Sequence, residues 1–286
     1  MRASVVVLGA VTLAASSLPA QVPRAIAFDP PRDNAHPARM EVLHIPSGGV
    51  EINGVEYVAS GAGAHPTFIF FHGFPGNEKN LDLAQAVRRA GWNAITVNYR
   101  GSWGSPGVFR FGGNLEDADA VLAFVHDTGN ARRLNIDPRR IVIAGHSLGG
   151  WVTVLTAAHH PELLGAILIC PADMGRYSSA PRADVVKLTA DNMESLAGVT
   201  AESMADELLR APPSWRFESA TAGLVHMPLL LLTSDDGLAP HADSLVMRLR
   251  ALGNSRIATR HEPTDHSWSD KRITLESAVI TWLVKR

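Results

Sequence analysis

The feature that most constrains this chain is a short apolar run that ends in Gly-x-Ser-x-Gly. Ile141 to Ala144 are all apolar, Gly145-His146-Ser147-Leu148-Gly149 follows, and an apolar-periodic segment begins at once. This order predicts a buried parallel strand that turns sharply into a helix, with Ser147 at the corner. Because such a corner strains the backbone, its neighbours must be small, and Gly145 and Gly149 meet that need. The serine hydroxyl would then stand out of the sheet at a helix N-terminus.

Short apolar runs alternate with helical patterns along most of the chain, which predicts an α/β fold with a mostly parallel sheet. The apolar runs cover residues 67–71, 94–97, 141–144, 166–170 and 229–232, and a last strand is predicted from about Arg256 to His261. Two earlier β patterns, Glu41 to Ile45 and Val50 to Ala59, flank Gly48-Gly49 and predict a hairpin. We therefore expect a central sheet of about eight strands, flanked by helices.

The alternation stops at Pro171 and resumes only at Leu229. Residues 171–227 show two helical patterns, Ala183 to Ala197 and Ala201 to Ala211, and no evident strand. The loops that follow parallel strands converge at the carboxyl edge of the sheet, where Ser147 is also expected. We therefore expect this segment to form a small helical lid over Ser147. Its large apolar residues are candidates for the substrate pocket, although they could instead pin the lid to the domain. These candidates are Met174, Met193, Met204 and Trp215.

The N-terminus has the pattern of a secretory signal peptide, residues 1–20. Met1-Arg2 provides a positive start, Ala3 to Ala15 is an apolar run too short to span a bilayer, and small residues precede a cleavage site after Ala20. An uncleaved membrane anchor is the alternative. Residues 21–39 are rich in proline and predict an extended lead-in, which leaves residues 40–286 as the main domain. We expect an exported protein, periplasmic or secreted, that is soluble after cleavage.

Charge and cysteine content argue against several classes of partner. The formal net charge is −2 and no basic run occurs, so neither nucleic acid nor a membrane surface is an expected partner of the mature chain. Cys170 is the only cysteine and closes an apolar run, which favours a buried, unreactive thiol. No pair of histidines has zinc-binding spacing, so we expect neither a metal nor another cofactor.

A serine nucleophile needs a base to take its proton. The serine corner resembles that of the α/β-hydrolases, and this resemblance implies that an acid and then the base follow the serine in the chain. His241, His261 and His266 come after the Leu229–Leu232 run. His266 is favoured because it lies in the loop after the last predicted strand, at the sheet edge where Ser147 is expected. His261 is predicted to end a strand, and His241 shares a turn with the candidate acids.

The acid that orients this base should follow the Leu229–Leu232 run, where Asp235 and Asp236 stand together. Asp236 is preferred because it stands four residues before Pro240, in an Asp-x-x-x-Pro pattern. Asp173, just after the 166–170 run, is the third candidate.

Two backbone N–H groups are candidates to bind the negative oxygen that develops when serine attacks a carbonyl group. One belongs to Leu148, directly after the nucleophile. The other belongs to Phe74, in the loop His72-Gly73-Phe74-Pro75-Gly76 that follows the Phe68–Phe71 run. Pro75 has no N–H and cannot serve.

Taken together, these motifs resemble the α/β-hydrolase superfamily, from about Met40 to the C-terminus. The glycine-rich loop, the serine corner, the Asp-x-x-x-Pro pattern and the late Asp265-His266 recur there in this order. Two further stretches, Asn98 to Gly107 and Ile136 to Ile141, look like those of serine-aminopeptidase-like and prolyl-oligopeptidase-like members. Dienelactone-hydrolase-like esterases share much of this pattern.

The first functional hypothesis is a serine hydrolase that cleaves a small-molecule carboxylic ester through a Ser147–His266–Asp236 triad and an acyl-enzyme. The second keeps the triad but cleaves short peptides or amides, as an aminopeptidase-like enzyme does. That activity needs an acid to hold the substrate amine, and the insertion offers Glu194, Glu202 and Glu207. The third hypothesis is a binding protein on an inactive scaffold, which a complete serine, acid and base set argues against.

Overall fold

The computed structural model describes residues 22–286. The predicted signal peptide, residues 1–20, lies outside the described residues and stays a prediction. Within residues 22–286, no helix is both long enough and apolar enough to span a bilayer.

One sheet of eight strands forms the centre of the molecule. The strands are β1 (Arg39–Ser47), β2 (Val50–Val58), β3 (His65–Phe71), β4 (Asn93–Val97), β5 (Ile136–His146), β6 (Gly165–Ile169), β7 (Leu229–Thr233) and β8 (Ile257–His261). Their spatial order is β1-β2-β4-β3-β5-β6-β7-β8. β2 runs antiparallel to both of its neighbours, and all other pairs are parallel. The predicted α/β fold with a mostly parallel sheet is confirmed.

The predicted hairpin joins β1 and β2. Ser47 pairs with Val50, so Gly48 and Gly49 alone form the turn, and both have positive φ angles of 55° and 84°. Positive φ at both central positions favours glycine and suits the twist of a two-residue hairpin.

Helices cover both faces of the sheet. They are α1 (Arg24–Ala27), α2 (Leu81–Arg89), α3 (Phe111–His126), α4 (Thr128–Leu134), α5 (Leu148–His159), α6 (Arg182–Ala190), α7 (Ala201–Leu209), α8 (Thr221–Leu224), α9 (Ala239–Ala251) and α10 (Arg272–Leu283). Side chains alternate between the two faces, so Ile69 and Phe71 of β3 enter one core while Phe68 and Phe70 enter the other. Burial on both faces explains why the central strands read as unbroken apolar runs.

The segment between β6 and β7 is helical, as predicted, but its first helix is shorter than expected. The pattern predicted a helix over residues 183–197, and α6 ends at Ala190. Residues 195–197 instead pair with the loop after β4, through the hydrogen bonds Trp103 N–H to Ser195 O (2.9 Å) and Ala197 N–H to Gly101 O (2.8 Å). These contacts between distant segments overrode the local helical pattern.

The lead-in before β1 also differs from a purely extended segment. Arg24–Ala27 form one helical turn, and the Arg89 side chain of α2 donates a 2.5 Å hydrogen bond from Nε to the Ala25 carbonyl oxygen. A single turn of four residues has no apolar period, so local sequence contained no signal for it.

Candidate active site

Ser147 lies at the sharp corner between β5 and α5, with φ 57° and ψ −118°. Such angles are strained for a residue with a side chain and occur where the surrounding structure enforces them. Glycine is required at positions 145 and 149, because backbone atoms of other residues come too close to leave room for a side chain. A Cβ on Gly145 would lie 2.0 Å from the Gly149 oxygen, and one on Gly149 would lie 1.9 Å from the Phe71 oxygen. The corner therefore has the geometry that the Gly-x-Ser-x-Gly pattern predicts.

His266 and Asp236 are in direct contact: His266 Nδ1 lies 2.6 Å from Asp236 Oδ2. The Asp236 side chain is 5% exposed, and the Leu238 N–H donates to its other oxygen at 2.9 Å. Burial alone would raise the pKa of Asp236, but the hydrogen bonds from His266 and Leu238 outweigh it and leave that pKa below its ordinary value. The ionised carboxylate keeps the proton on Nδ1, so Nε2 is free to accept a proton.

The other two candidate acids lie apart from His266. Asp235 is 64% exposed and its Oδ1 lies 3.1 Å from His261 Nε2. Asp173 is buried, and its Oδ1 has no hydrogen-bond partner among residues 22–286. Of the three candidates, Asp236 is the one that the fold brings against the histidine.

Ser147 shares a cavity of about 270 Å³ with His266 and Asp236. Within residues 22–286, no hydrogen bond of 3.5 Å or less joins Ser147 to His266. Such contacts are commonly long without substrate and tighten in the substrate complex.

The two candidate oxyanion donors, Phe74 and Leu148, line the same cavity. The Ser147 N–H already donates to the Ile169 carbonyl at 2.9 Å, so the Leu148 N–H, in the first turn of α5, is the next available donor. A Cβ on Gly73 would lie 3.1 Å from Ser147 Cβ, which shows how closely the loop after β3 passes the serine. Backbone donors on that loop can therefore approach a substrate oxygen.

Of the four candidate pocket residues, Met174 lines the cavity that contains Ser147. Met204 and Trp215 line a different cavity of about 430 Å³, and Met193 packs against the core. The Trp151 indole N–H donates a 2.6 Å hydrogen bond to the Trp215 carbonyl oxygen. Trp215 thus pins the insertion to α5, which is the alternative role considered for these residues.

Sequence reasoning missed His146, the residue before the nucleophile. Its Nε2 lies 2.8 Å from the His266 carbonyl oxygen, and the two rings are 4.5 Å apart. Because a carbonyl oxygen only accepts, Nε2 must be the protonated nitrogen. Burial, reinforced by the neighbouring His266, lowers the pKa of His146 to about 3, so its ring stays neutral. Any residue can precede the serine in Gly-x-Ser-x-Gly, so the sequence pattern could not predict a role for His146.

Cys170, Asp236 and His266 offer the one cluster of possible metal ligands within residues 22–286, with ligand atoms within 4.8 Å of one another. Burial raises the pKa of the Cys170 thiol to about 12, which favours a protonated sulfur over a thiolate ligand. Its sulfur accepts a hydrogen bond from the Trp268 indole at 3.2 Å. The donor set therefore fits an acid–base pair beside an inert thiol better than a metal site.

Residues 68–281 match the family model described as the alpha/beta hydrolase family. The alpha/beta hydrolase domain-containing protein WAV2 of Arabidopsis thaliana is 32% identical over 106 residues, which are 36% of this chain and 33% of that protein. Cutinase 2 of Thermobifida cellulosilytica is 26% identical over 129 residues, 44% of this chain and 47% of that protein. The chain thus matches less than half the length of these two curated relatives.

Among solved structures, an esterase of Pyrobaculum calidifontis superposes with a TM-score of 0.65. It covers 88% of this chain and 86% of its own length, at 19% identity. A likeness at that identity shows that the fold is shared.

Proposed function

This chain belongs to the alpha/beta hydrolase family, and we propose that it is a serine hydrolase that cleaves carboxylic esters through an acyl-enzyme. The observation that carries the proposal is the 2.6 Å contact between His266 and Asp236 in the cavity that also contains the strained Ser147. A buried acid, an oriented base and a nucleophile that lines the cavity are the parts that acyl transfer requires.

In the first half of the reaction, Ser147 Oγ attacks the ester carbonyl carbon while His266 Nε2 takes the hydroxyl proton. The Leu148 and Phe74 N–H groups bind the negative oxygen of the tetrahedral intermediate. Collapse of that intermediate breaks the bond to the alcohol, which leaves with the proton from His266. Asp236 stabilises the transient imidazolium throughout.

In the second half, water attacks the acyl-enzyme with His266 as the base. The tetrahedral intermediate then releases the carboxylic acid, and the proton returns to Ser147. No group outside the cavity is needed for either half.

The peptidase alternative needs an acid beside the nucleophile to hold a substrate amine. None of the three candidate glutamates lines the cavity of Ser147. Glu194 and Glu202 are exposed, while Glu207 accepts the Phe111 and Gly112 N–H groups at 3.1 Å and 3.0 Å and so ties α7 to α3. This distribution favours an ester substrate over an aminoacyl one.

Two measurements test the proposal. A fluorophosphonate probe should label the wild-type chain at Ser147, and labelling should be absent in folded Ser147→Ala. The same substitution should lower p-nitrophenyl butyrate hydrolysis by on the order of 10⁴-fold or more. Turnover of alanine p-nitroanilide faster than of the ester would favour the peptidase alternative. An unlabelled but folded wild type would reject the serine mechanism.

A further inference from the structure

A second cavity, of about 340 Å³, adjoins the one that contains Ser147. The two cavities share three lining residues, Ala172, Tyr177 and Leu238. A substrate whose carbonyl carbon meets Ser147 can therefore extend past these residues into the second cavity.

The second cavity differs from the first in carrying an arginine. Arg176, from the 3₁₀ turn Met174–Ser179, and His241, from the first turn of α9, meet across it, with Arg176 Nη1 2.7 Å from His241 Nδ1. Burial and the adjacent guanidinium lower the pKa of His241, so its ring is the neutral acceptor and Arg176 the donor. The contact holds the guanidinium in place and adds no negative charge to it.

Two acids, Asp173 and Glu218, lie near Arg176, but neither forms an ion pair with it. Within residues 22–286, no carboxylate lies within the 4.0 Å ion-pair distance of its nitrogens. Glu218 pairs with Arg216 at 3.3 Å. Asp173 lines the same cavity, and burial raises its pKa to about 6, so its negative charge is lost as pH falls below 6.

We propose that this cavity binds a carboxylate of the substrate, so that the enzyme prefers esters carrying a second, ionised carboxyl group. Arg176 binds the carboxylate, and the Tyr177 and Ser179 hydroxyls, which line the same cavity, are additional donors. A guanidinium held by a neutral partner is suited to this, because its remaining N–H groups match the two oxygens of a carboxylate. This inference rests on the proposed esterase function and names its substrate class.

The test compares each charged ester with its neutral methyl ester, and the rate of alkaline hydrolysis of each member corrects for the leaving group. In mono-p-nitrophenyl adipate the carboxylate is on the acyl side of the ester, and its methyl ester is the neutral counterpart. In 4-carboxyphenyl hexanoate the carboxylate is on the alcohol side, and its methyl ester is again the neutral counterpart. Wild type should hydrolyse the charged member of at least one pair with a kcat/KM about tenfold higher than that of the neutral member. Arg176→Gln should abolish that preference, because kcat/KM of the charged member should fall to about that of the neutral member.

Arg110→Gln is the matched control, because Arg110 lines the cavity of Met204 and Trp215 instead. It should keep the charge preference. Thermal melting of each variant shows that it is folded. The inference is overturned if wild type shows no preference within either pair, or if Arg176→Gln lowers both members equally. Failure of the esterase proposal looks different, since neither charged nor neutral esters would then be hydrolysed.

Discussion

The neutral ring of His146 holds the backbone of the candidate base, His266, through the 2.8 Å hydrogen bond from Nε2 to the His266 carbonyl oxygen. The nucleophile's neighbour in sequence is thus a neighbour of the base in space. A Cβ on Gly73 would lie 3.3 Å from His146 Nδ1, so the same ring also lies against the loop that carries Phe74. His146 contacts both sides of the cavity and is a positioning residue for the proposed reaction.

His146→Leu should lower kcat for p-nitrophenyl butyrate about tenfold with little change in KM. The lost hydrogen bond is worth roughly 1 kcal/mol, and its loss misplaces the base more than it weakens substrate binding. His146→Gln, which can still present an N–H donor, should recover part of the loss. Equal activity of the leucine and glutamine variants, with both folded, would contradict a positioning role.

Asp236→Asn should lower kcat/KM by on the order of 10⁴-fold at neutral pH, because an amide can bind the wrong tautomer of His266. Asp235→Asn is the matched control, since it changes the neighbouring residue, which contacts His261 instead. That control should stay within about twofold of wild type. A larger loss in Asp235→Asn, or in Asp173→Asn, would move the acid assignment to that residue.

The sequence pattern predicted the strands and turns whose conformation depends on the residues within them. The run Phe68–Phe71 is a strand because both of its faces are buried, and Gly48-Gly49 is a turn because both residues need positive φ. Residues 195–197 could not be predicted in this way, since their partners lie almost a hundred residues earlier in the chain.

The candidate site also combines residues whose proximity the sequence predicted with a contact that it could not predict. Ser147, Asp236 and His266 follow predicted strands, and the ends of parallel strands meet at one edge, so their proximity could be expected. The contact of Arg176 with His241 joins the insertion to α9. No short pattern encodes a contact between two irregular segments, so only the folded structure reveals it.

Met174→Ala should change the acyl-chain preference on p-nitrophenyl esters, because Met174 lines the cavity of Ser147. Removing this side chain enlarges the cavity and should shift the optimum toward longer acyl chains by a few-fold in relative kcat/KM. Met193→Ala is the matched control, since Met193 belongs to the same insertion but packs against the core. It should lose stability without a change in preference. Identical profiles for both variants would place specificity elsewhere, and the segment before α3, residues 101–110, would be the next to test.

Glu56 on β2 is fully buried, and neither of its carboxylate oxygens has a hydrogen-bond partner among residues 22–286. Burial raises its pKa to about 8, although Arg39 and Arg133 oppose this shift. The folded state therefore holds a proton that the unfolded chain releases near pH 4.5. The resulting stabilisation is complete below pH 4.5 and is lost as pH rises toward 8.

Glu56→Gln should therefore leave the free energy of unfolding nearly unchanged at pH 4.5 and raise it at pH 9, by on the order of a few kcal/mol. The glutamine has the shape of the neutral acid and never needs to bind a proton. Urea unfolding of wild type and variant across this pH range measures the difference. Glu51→Gln, an exposed change on the same strand, should show no such trend. A difference between Glu56→Gln and wild type that does not grow with pH would mean that Glu56 is ionised in the folded protein.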